Sequence, residues 1–336
     1  LDVNFKSAFS PWLTEISAIC SAAAPDVGGV YLVGGAVRDA ALGRASHDLD
    51  FVVERNSLKL ARKVADALGG AYFTLDEEFQ VGRVVLTPEG SPRQEFDFVL
   101  LQGGSLEADL RKRDFTFNAM AVSVNALDEL IDPLGGMADL VQRRLETCSP
   151  DSILEDPVRA IRAVRMSAVF GLSFTPETRR AIRGVVAKLD QVSAERKRDE
   201  FLKCLDAPRP SRSLRVLDQL GILDILIPEM AELKGVEQRK PHIYDVWEHS
   251  IHTVEAMADI LRLLDADYKH DNESGGDLFS GMVSQQLGRY RTQISDHIAG
   301  ALVPDRPYRP VLLLAALLHD FTKPRHRTIQ DGAIRF

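Results

Sequence analysis

Near residue 150 the hydrophobic rhythm of this chain changes, and that change limits what it can fold into more than any other feature. Before it, short apolar runs alternate with helical stretches. Val30–Val33 reads as a strand, Gly34-Gly35 breaks it, Ala36–Leu42 has helical character and Leu49–Val53 is a second strand. Leu58–Leu68 carries helical spacing and stops at Gly69-Gly70. Further strands are predicted at Arg83–Leu86, bounded by Pro88 and Gly90, at Gln94–Leu100 and over Ala119–Val124. From about Ile153 the pattern is helix after helix. Asp156-Pro157 puts a carboxylate at a helix start with Pro at its first position, and Gly171 closes that helix. Pro176–Leu189, Ala194–Leu205, Ser211–Leu220, Tyr244–Leu264 and Pro310–Leu318 continue the series. The fold class predicted is an α/β N-terminal region over residues 1–150, an all-helical segment over 151–235, and a further helical region over 236–336 beyond the polar stretch between Gly235 and Pro241. Asp265–Asp277, polar and holding Gly275-Gly276, is predicted to be a mobile loop.

At 336 residues the chain has length for two or three domains, and 45% hydrophobic with 27% charged residues excludes a disordered or fibrous protein. Its longest apolar run, Val311–Leu318, is far below the roughly 20 residues of a membrane span, so no membrane partner is expected. The first residues carry no secretory signal pattern, and the missing initiator Met suggests that residues precede Leu1. Cys20, Cys148 and Cys204 are widely spaced and fit no metal-ligand pattern, which predicts reduced thiols in a cytoplasmic setting. A net charge of -8 weighs against a nucleic-acid partner, yet Asp151 to Arg215 holds 14 Lys/Arg against 9 Asp/Glu. That basic middle can hold a polyanion.

The chemistry is concentrated in Asp48-Leu49-Asp50. Side chains alternate along a strand, so the two carboxylates share a face and can hold a divalent metal such as Mg²⁺ together with substrate phosphates. Asp97, on another predicted strand, can complete a two-metal site, with Glu95 as its rival. Upstream, Gly34 and Gly35 let backbone approach a triphosphate at a helix start, and Arg38 in the first turn adds a cation. Arg162 and Arg165 follow Arg159 at three-residue steps, on a face suited to triphosphate or RNA.

In order, the chain reads Leu32-Val33-Gly34-Gly35-Ala36-Val37-Arg38-Asp39, Leu42-Gly43 and His47-Asp48-Leu49-Asp50-Phe51-Val52-Val53. It continues with Arg111-Lys112-Arg113-Asp114-Phe115-Thr116-Phe117-Asn118-Ala119, Asp132-Pro133-Leu134-Gly135-Gly136, Glu155-Asp156-Pro157-Val158-Arg159 and Ser193-Ala194-Glu195-Arg196-Lys197-Arg198-Asp199-Glu200. This series resembles the class II tRNA nucleotidyltransferases and bacterial poly(A) polymerases, over roughly residues 30 to 205. The resemblance implies a polymerase-β-like head of mixed sheet and helices, followed by a helical neck and body. It implies that Arg113, Asp114 and Asn118 contact ribose and triphosphate, although Lys112 interrupts the family's basic pair. The segment from Asp132 would be a hinge, and Asp156 with Arg159 would read the incoming base. The last role also has a physical basis: a carboxylate and a guanidinium three residues apart on a helix offer acceptors and donors that can mimic a Watson-Crick partner of C or A.

The resemblance further implies two Mg²⁺ ions on Asp48 and Asp50, with Mn²⁺ as the alternative, CTP and ATP as substrates, and the tRNA 3′ end as partner. Full CCA addition is the favoured activity; CC-only, A-only or poly(A) addition are the alternatives within the same chemistry. Nine further cations from Arg179 to Arg215 are candidates to track an RNA backbone. His249, and His319-Asp320 at the end of an apolar helix, resemble the HD domain appended to some members, which implies a second metal site. Thr322 stands where that pattern has Gly, and a later Asp ligand would fall beyond Phe336 in a chain expected to be truncated. His47, His242 and His252 are expected to be surface or packing residues. An HD-type phosphohydrolase with a degenerate head and a non-catalytic RNA-binding protein are the more distant readings. Oligomeric state stays open.

Overall fold

The computed structural model describes residues 12–44, 46, 48–88, 93–266, 268, 278–303, 306–326, 328–330 and 333–335. His47, Gly90 and most of the predicted loop Asp265–Asp277 lie outside the described residues. The chain divides into two compact units, Leu1–Ser152 with Ser173–Thr178, and Ile153–Leu172 with Arg179–Phe336. The polar stretch near residue 235 falls inside the second.

The first unit is built on a seven-stranded mixed sheet. Along the chain come α1 (Trp12–Val27), β1 (Val30–Val33), α2 (Gly35–Ala41), β2 (Asp48–Val53), α3 (Ser57–Leu68), β3 (Ala71–Asp76), β4 (Val81–Leu86) and β5 (Gln94–Leu100). They are followed by α4 (Leu106–Arg111), β6 (Ala121–Ser123), β7 (Ala126–Ile131) and α5 (Gly136–Val141). The spatial order is β3-β4-β5-β2-β1-β6-β7, with β2 and β5 parallel and every other pair antiparallel. Strand alternation sends Leu49, Phe51, Phe96 and Phe98 into the core, where Phe51 and Phe98 stack with ring centroids 4.8 Å apart. That apolar face anchors β2 and β5, and the intervening residues Asp48, Asp50, Glu95 and Asp97 emerge together on the other face.

The strands and helices predicted from the sequence occur within a few residues of their expected bounds. Two strands of this sheet have no sequence counterpart. β3 and β7 are the sheet's edges and are half-exposed or exposed along their length, so neither carries the apolar alternation that marks a half-buried strand. Helix α1 is a further addition; its buried residues Leu13, Ile16, Cys20, Ala23 and Val27 recur at helical spacing despite Pro25.

Beyond the sheet the chain is mainly helical, with α6 (Arg159–Phe170), α7 (Pro176–Val185), α8 (Ala194–Leu205), α9 (Pro210–Gln219), α10 (Val246–Leu263), α11 (Leu278–Leu287), α12 (Arg291–Ala299) and α13 (Tyr308–Leu318). One expectation is corrected here: α6 starts at Arg159, so Asp156 lies in the turn before the helix rather than within it. The turn nevertheless ties the two, since Arg159 N donates to the Asp156 carbonyl at 3.0 Å. Gly171 ends α6 in the left-handed conformation, as its position suggests. All three cysteines are buried and free. Among the described residues no helix is long and apolar enough to cross a membrane.

Candidate active site

Parallel pairing of β2 with β5 puts Asp50 opposite Asp97 and Asp48 opposite Glu95. Four carboxylates thus stand in two adjacent rows on one face of the sheet. Asp97 and Glu95 are neutralised locally. Arg83, one strand further on β4 and in register with Asp97, donates from Nε to one Asp97 oxygen at 2.8 Å and from Nη2 to the other at 2.7 Å. Its Nη1 lies 2.6 Å from Glu95 Oε2, and Arg93 holds Glu95 Oε1 at 2.6 Å. Asp50 has no such partner: no hydrogen bond or ion pair forms at its carboxylate among the described residues. Its pKa is pushed up to about 6, first by crowding among protein atoms and next by the Asp97 charge, with Arg113 opposing. The residue is nevertheless exposed to solvent on the open face of β2. A crowded carboxylate beside other carboxylates, reachable from solvent, favours a cation. The donor set is of the kind that suits a hard divalent ion, which Asp48 and Asp50 could hold.

Next to them lies the Gly34-Gly35 turn. Gly34 has φ 72° and ψ -133°, a conformation that side-chain-bearing residues avoid, and a Cβ there would stand 3.1 Å from Arg113 Nη1. Glycine therefore lets Arg113 lie over the backbone at the mouth of the carboxylate cluster. Arg113 Nη2 is held at 3.3 Å by Asp109, whose other oxygen caps Gln102 N at 3.0 Å. Asp109, missed in the sequence, lies one helical turn before Arg113, and that spacing is its only local signal.

Arg38, Asp114 and Asn118 form a buried chain behind this site. Arg38 donates to both Asp39 oxygens at 2.9 Å and from Nη1 to Asn118 Oδ1 at 2.6 Å, and Asn118 Nδ2 donates to Asp114 Oδ1 at 3.0 Å. Here the three side chains brace one another. The expected hinge segment is pinned as well, since Asp132 accepts from Gly136 N and Met137 N at 2.7 and 2.9 Å and so caps α5.

In the helical unit, Asp156 Oδ2 lies 3.9 Å from Arg159 Nε and accepts from Arg196 Nη2 at 2.8 Å. Arg162 and Arg165 point to one buried carboxylate, Glu200 on α8, with Nε donating at 3.2 and 2.9 Å. Glu200 and Arg196 belong to the Ser193–Glu200 segment that carries part of the family resemblance, but these pairings across helices have no local signal in the sequence. Arg180, Arg183, Lys188, Arg209 and Arg212 are exposed and Lys197 is half-buried, whereas Arg215 is paired to Glu248 by two bonds of 2.6 to 2.7 Å.

His249 of α10 and His319, just after α13, face each other through their Nε2 atoms at 3.2 Å, with Asp320 Oδ2 at 3.5 and 3.0 Å from them. His319 Nδ1 lies 2.9 Å from the Ala316 carbonyl, which favours a proton on Nδ1 and leaves Nε2 as the acceptor facing His249. Burial, followed by the neighbouring His319, lowers the His249 pKa. His242 packs edge-on against His249, and His252 stacks on Tyr244.

Residues 30–146 match the family described as the poly A polymerase head domain, and 171–234 match the "Probable RNA and SrmB-binding site of polymerase A". A CC-adding tRNA nucleotidyltransferase of Geobacter sulfurreducens is 46% identical over 180 residues, covering 54% of this chain and 41% of that protein. An A-adding tRNA nucleotidyltransferase of Deinococcus radiodurans is 40% identical over 245 residues, covering 71% and 54%. The chain spans about half the length of the curated relatives it matches. A solved Thermotoga maritima CCA-adding enzyme complexed with tRNA shares the fold, with a TM-score of 0.63 over 95% of this chain and 82% of that one at 22% identity.

Proposed function

This chain belongs to the family of class II tRNA nucleotidyltransferases and poly(A) polymerases, and we propose that it adds C, A or both from CTP and ATP to the 3′ end of tRNA, releasing pyrophosphate. The observation that carries the proposal is the shared face of Asp48 and Asp50, where Asp50 stands unpaired at the mouth of a carboxylate cluster beside Arg113. Asp48 and Asp50 would hold divalent ions, Mg²⁺ or Mn²⁺. Bound there, such ions supply activation of the terminal hydroxyl and neutralise charge on the departing pyrophosphate. Arg113, steadied by Asp109, would bind phosphate oxygens. Arg38, Asp114 and Asn118 would keep the Gly34-Gly35 turn in shape for the triphosphate. Asp156 would accept the exocyclic amine of C or A while Arg159 donates to its ring acceptor, which disfavours U and G. The exposed cations of the helical unit would follow the RNA backbone. The three buried free thiols accord with a cytoplasmic setting.

Relatives adding CC and relatives adding A both align with this chain, so the terminal sequence made is what the test must resolve. The protein is incubated with Mg²⁺ and tRNA transcripts ending before CCA, after C, or after CC, with CTP and ATP separately and together. Products are sized at single-nucleotide resolution. Growth that stops at CCA identifies a full CCA-adding enzyme; arrest at CC, use of the CC-ending transcript alone, or a long A tail identifies the narrower activities. Extension that persists in Asp50→Asn, or none in the intact protein with any transcript, overturns the proposal.

A second reading rests on the His249, His319 and Asp320 cluster, whose ligand atoms lie within 4.8 Å of one another. Two imidazoles and a carboxylate suit a divalent transition metal, separate from the transferase site. Co²⁺ titration followed by visible absorption tests it, and an unchanged spectrum in His319→Ala would refute it.

A further inference from the structure

The carboxylate cluster of the head contains its own cation. Every oxygen of Asp97 and Glu95 is engaged by a guanidinium: Arg83 takes both oxygens of Asp97 and one of Glu95, and Arg93 takes the last. A planar fork in this two-pronged geometry takes one lone pair of each oxygen and sets a cation, charged at any working pH, against the carboxylates, which opposes a metal binding there. Register reinforces the arrangement. Arg83, Asp97 and Asp50 are neighbours across β4, β5 and β2, so the guanidinium sits on the side of Asp97 away from Asp50. Two carboxylates of the four are thereby held directly by guanidinium groups.

We propose that Arg83 is a positioning residue that withdraws Asp97 and Glu95 from metal coordination, so that Asp48 and Asp50 alone provide the protein ligands. The inference rests on the metal role proposed for Asp48 and Asp50. It makes Asp97 a partner of Arg83 that shapes the field around Asp50 and touches no metal. It also gives Arg83 a purpose that a surface ion pair lacks: without it a third carboxylate would become available, and the ions would be held more tightly than a site that must release pyrophosphate requires.

The test is Mn²⁺ binding to the full 336-residue chain, read by the loss of the free-ion electron paramagnetic resonance signal without nucleotide or RNA. Asp50→Asn is expected to weaken binding by more than about thirtyfold and Asp97→Asn by no more than about threefold, since only the former removes a ligand. Arg83→Gln is expected to tighten binding about tenfold, and Asp97→Asn added to it to abolish the gain. Loss of binding in Asp97→Asn as severe as in Asp50→Asn, with no change in Arg83→Gln, would overturn the inference while leaving the metal role of Asp50 intact. Absence of binding in the wild type would overturn both. If Arg83→Gln fails to fold, the isosteric Asp97→Asn and Asp50→Asn pair still decides between ligand and partner.

Discussion

Asp50→Asn tests the electrostatic account of the head without any substrate. Crowding and the neighbouring Asp97 raise the Asp50 carboxyl from its ordinary 3.8 to about 6, so folding favours its protonated form. For a raised pKa the sign follows directly: the neutral group costs nothing below the unfolded value, and stability is lost as pH rises through the folded one. A fully desolvated group with this change would cost about 3 kcal/mol at neutral pH, and the exposed edge of Asp50 reduces that to about 1 kcal/mol. Metal-free wild type should therefore be less stable than Asp50→Asn at pH 7.5 by about 1 kcal/mol, or about 2 to 4 °C in Tm, while the two should converge near pH 4. Mg²⁺ at pH 7.5 should raise the wild-type Tm and leave the variant unchanged. The assay is thermal and urea unfolding of both proteins from pH 4 to 7.5, in EDTA and in Mg²⁺, following the head transition. A wild-type-minus-variant difference that does not vary with pH, or a variant less stable than wild type at pH 7.5 in EDTA, would refute the reasoning.

Other residues give sharper structural tests. A Cβ added at Gly136 would lie 2.2 Å from the Thr116 carbonyl oxygen and 2.8 Å from Phe117 Cα, both backbone. Gly136→Ala should thus cost more than about 2 kcal/mol in urea unfolding, and a smaller loss would mean that α5 is free to shift. Glu200→Gln removes the charge between Arg162 and Arg165 and should destabilise the helical unit by about 2 kcal/mol; calorimetry showing no change would make the pairing incidental. Arg196→Ala should raise misincorporation of U and G about tenfold, because it frees Asp156 Oδ2, while leaving Tm nearly unchanged; unaltered base choice in single-turnover assays would count against Arg196 as an orienting group.

What the sequence makes legible here is what short-range periodicity decides. The spacing of two in Asp48-Leu49-Asp50 is enough to put both carboxylates on one face, and the sheet bears this out, with Leu49 buried between them. Gly34 is legible for a similar reason, because a break between an apolar strand and a helix calls for backbone that only glycine adopts easily. The partners of those residues are not local. Arg83 reaches Asp97 only because β4 and β5 pair in one particular register, and a slip of one residue would send its side chain to the opposite face. The same holds for Glu200, which meets Arg162 and Arg165 across two helices separated by more than thirty residues.

Arg38 shows a subtler limit. Its place in the first turn of α2 correctly puts it near the Gly34-Gly35 turn, but position along a helix does not determine where a long side chain ends. Asp39 and Asn118 offer buried acceptors at hydrogen-bond distance, and a buried guanidinium without such acceptors would be very costly, so the side chain turns inward to them. Arg113 differs in its surroundings: Asp109 engages its Nη2 at 3.3 Å, and Gly34, with no side chain, leaves space above the backbone beside its Nη1. On the proposed reading, of the two arginines that motif position alone would send to the phosphates, Arg113 would be the one to reach them, and Arg38 would act through Asn118 by holding the turn on which that reach depends.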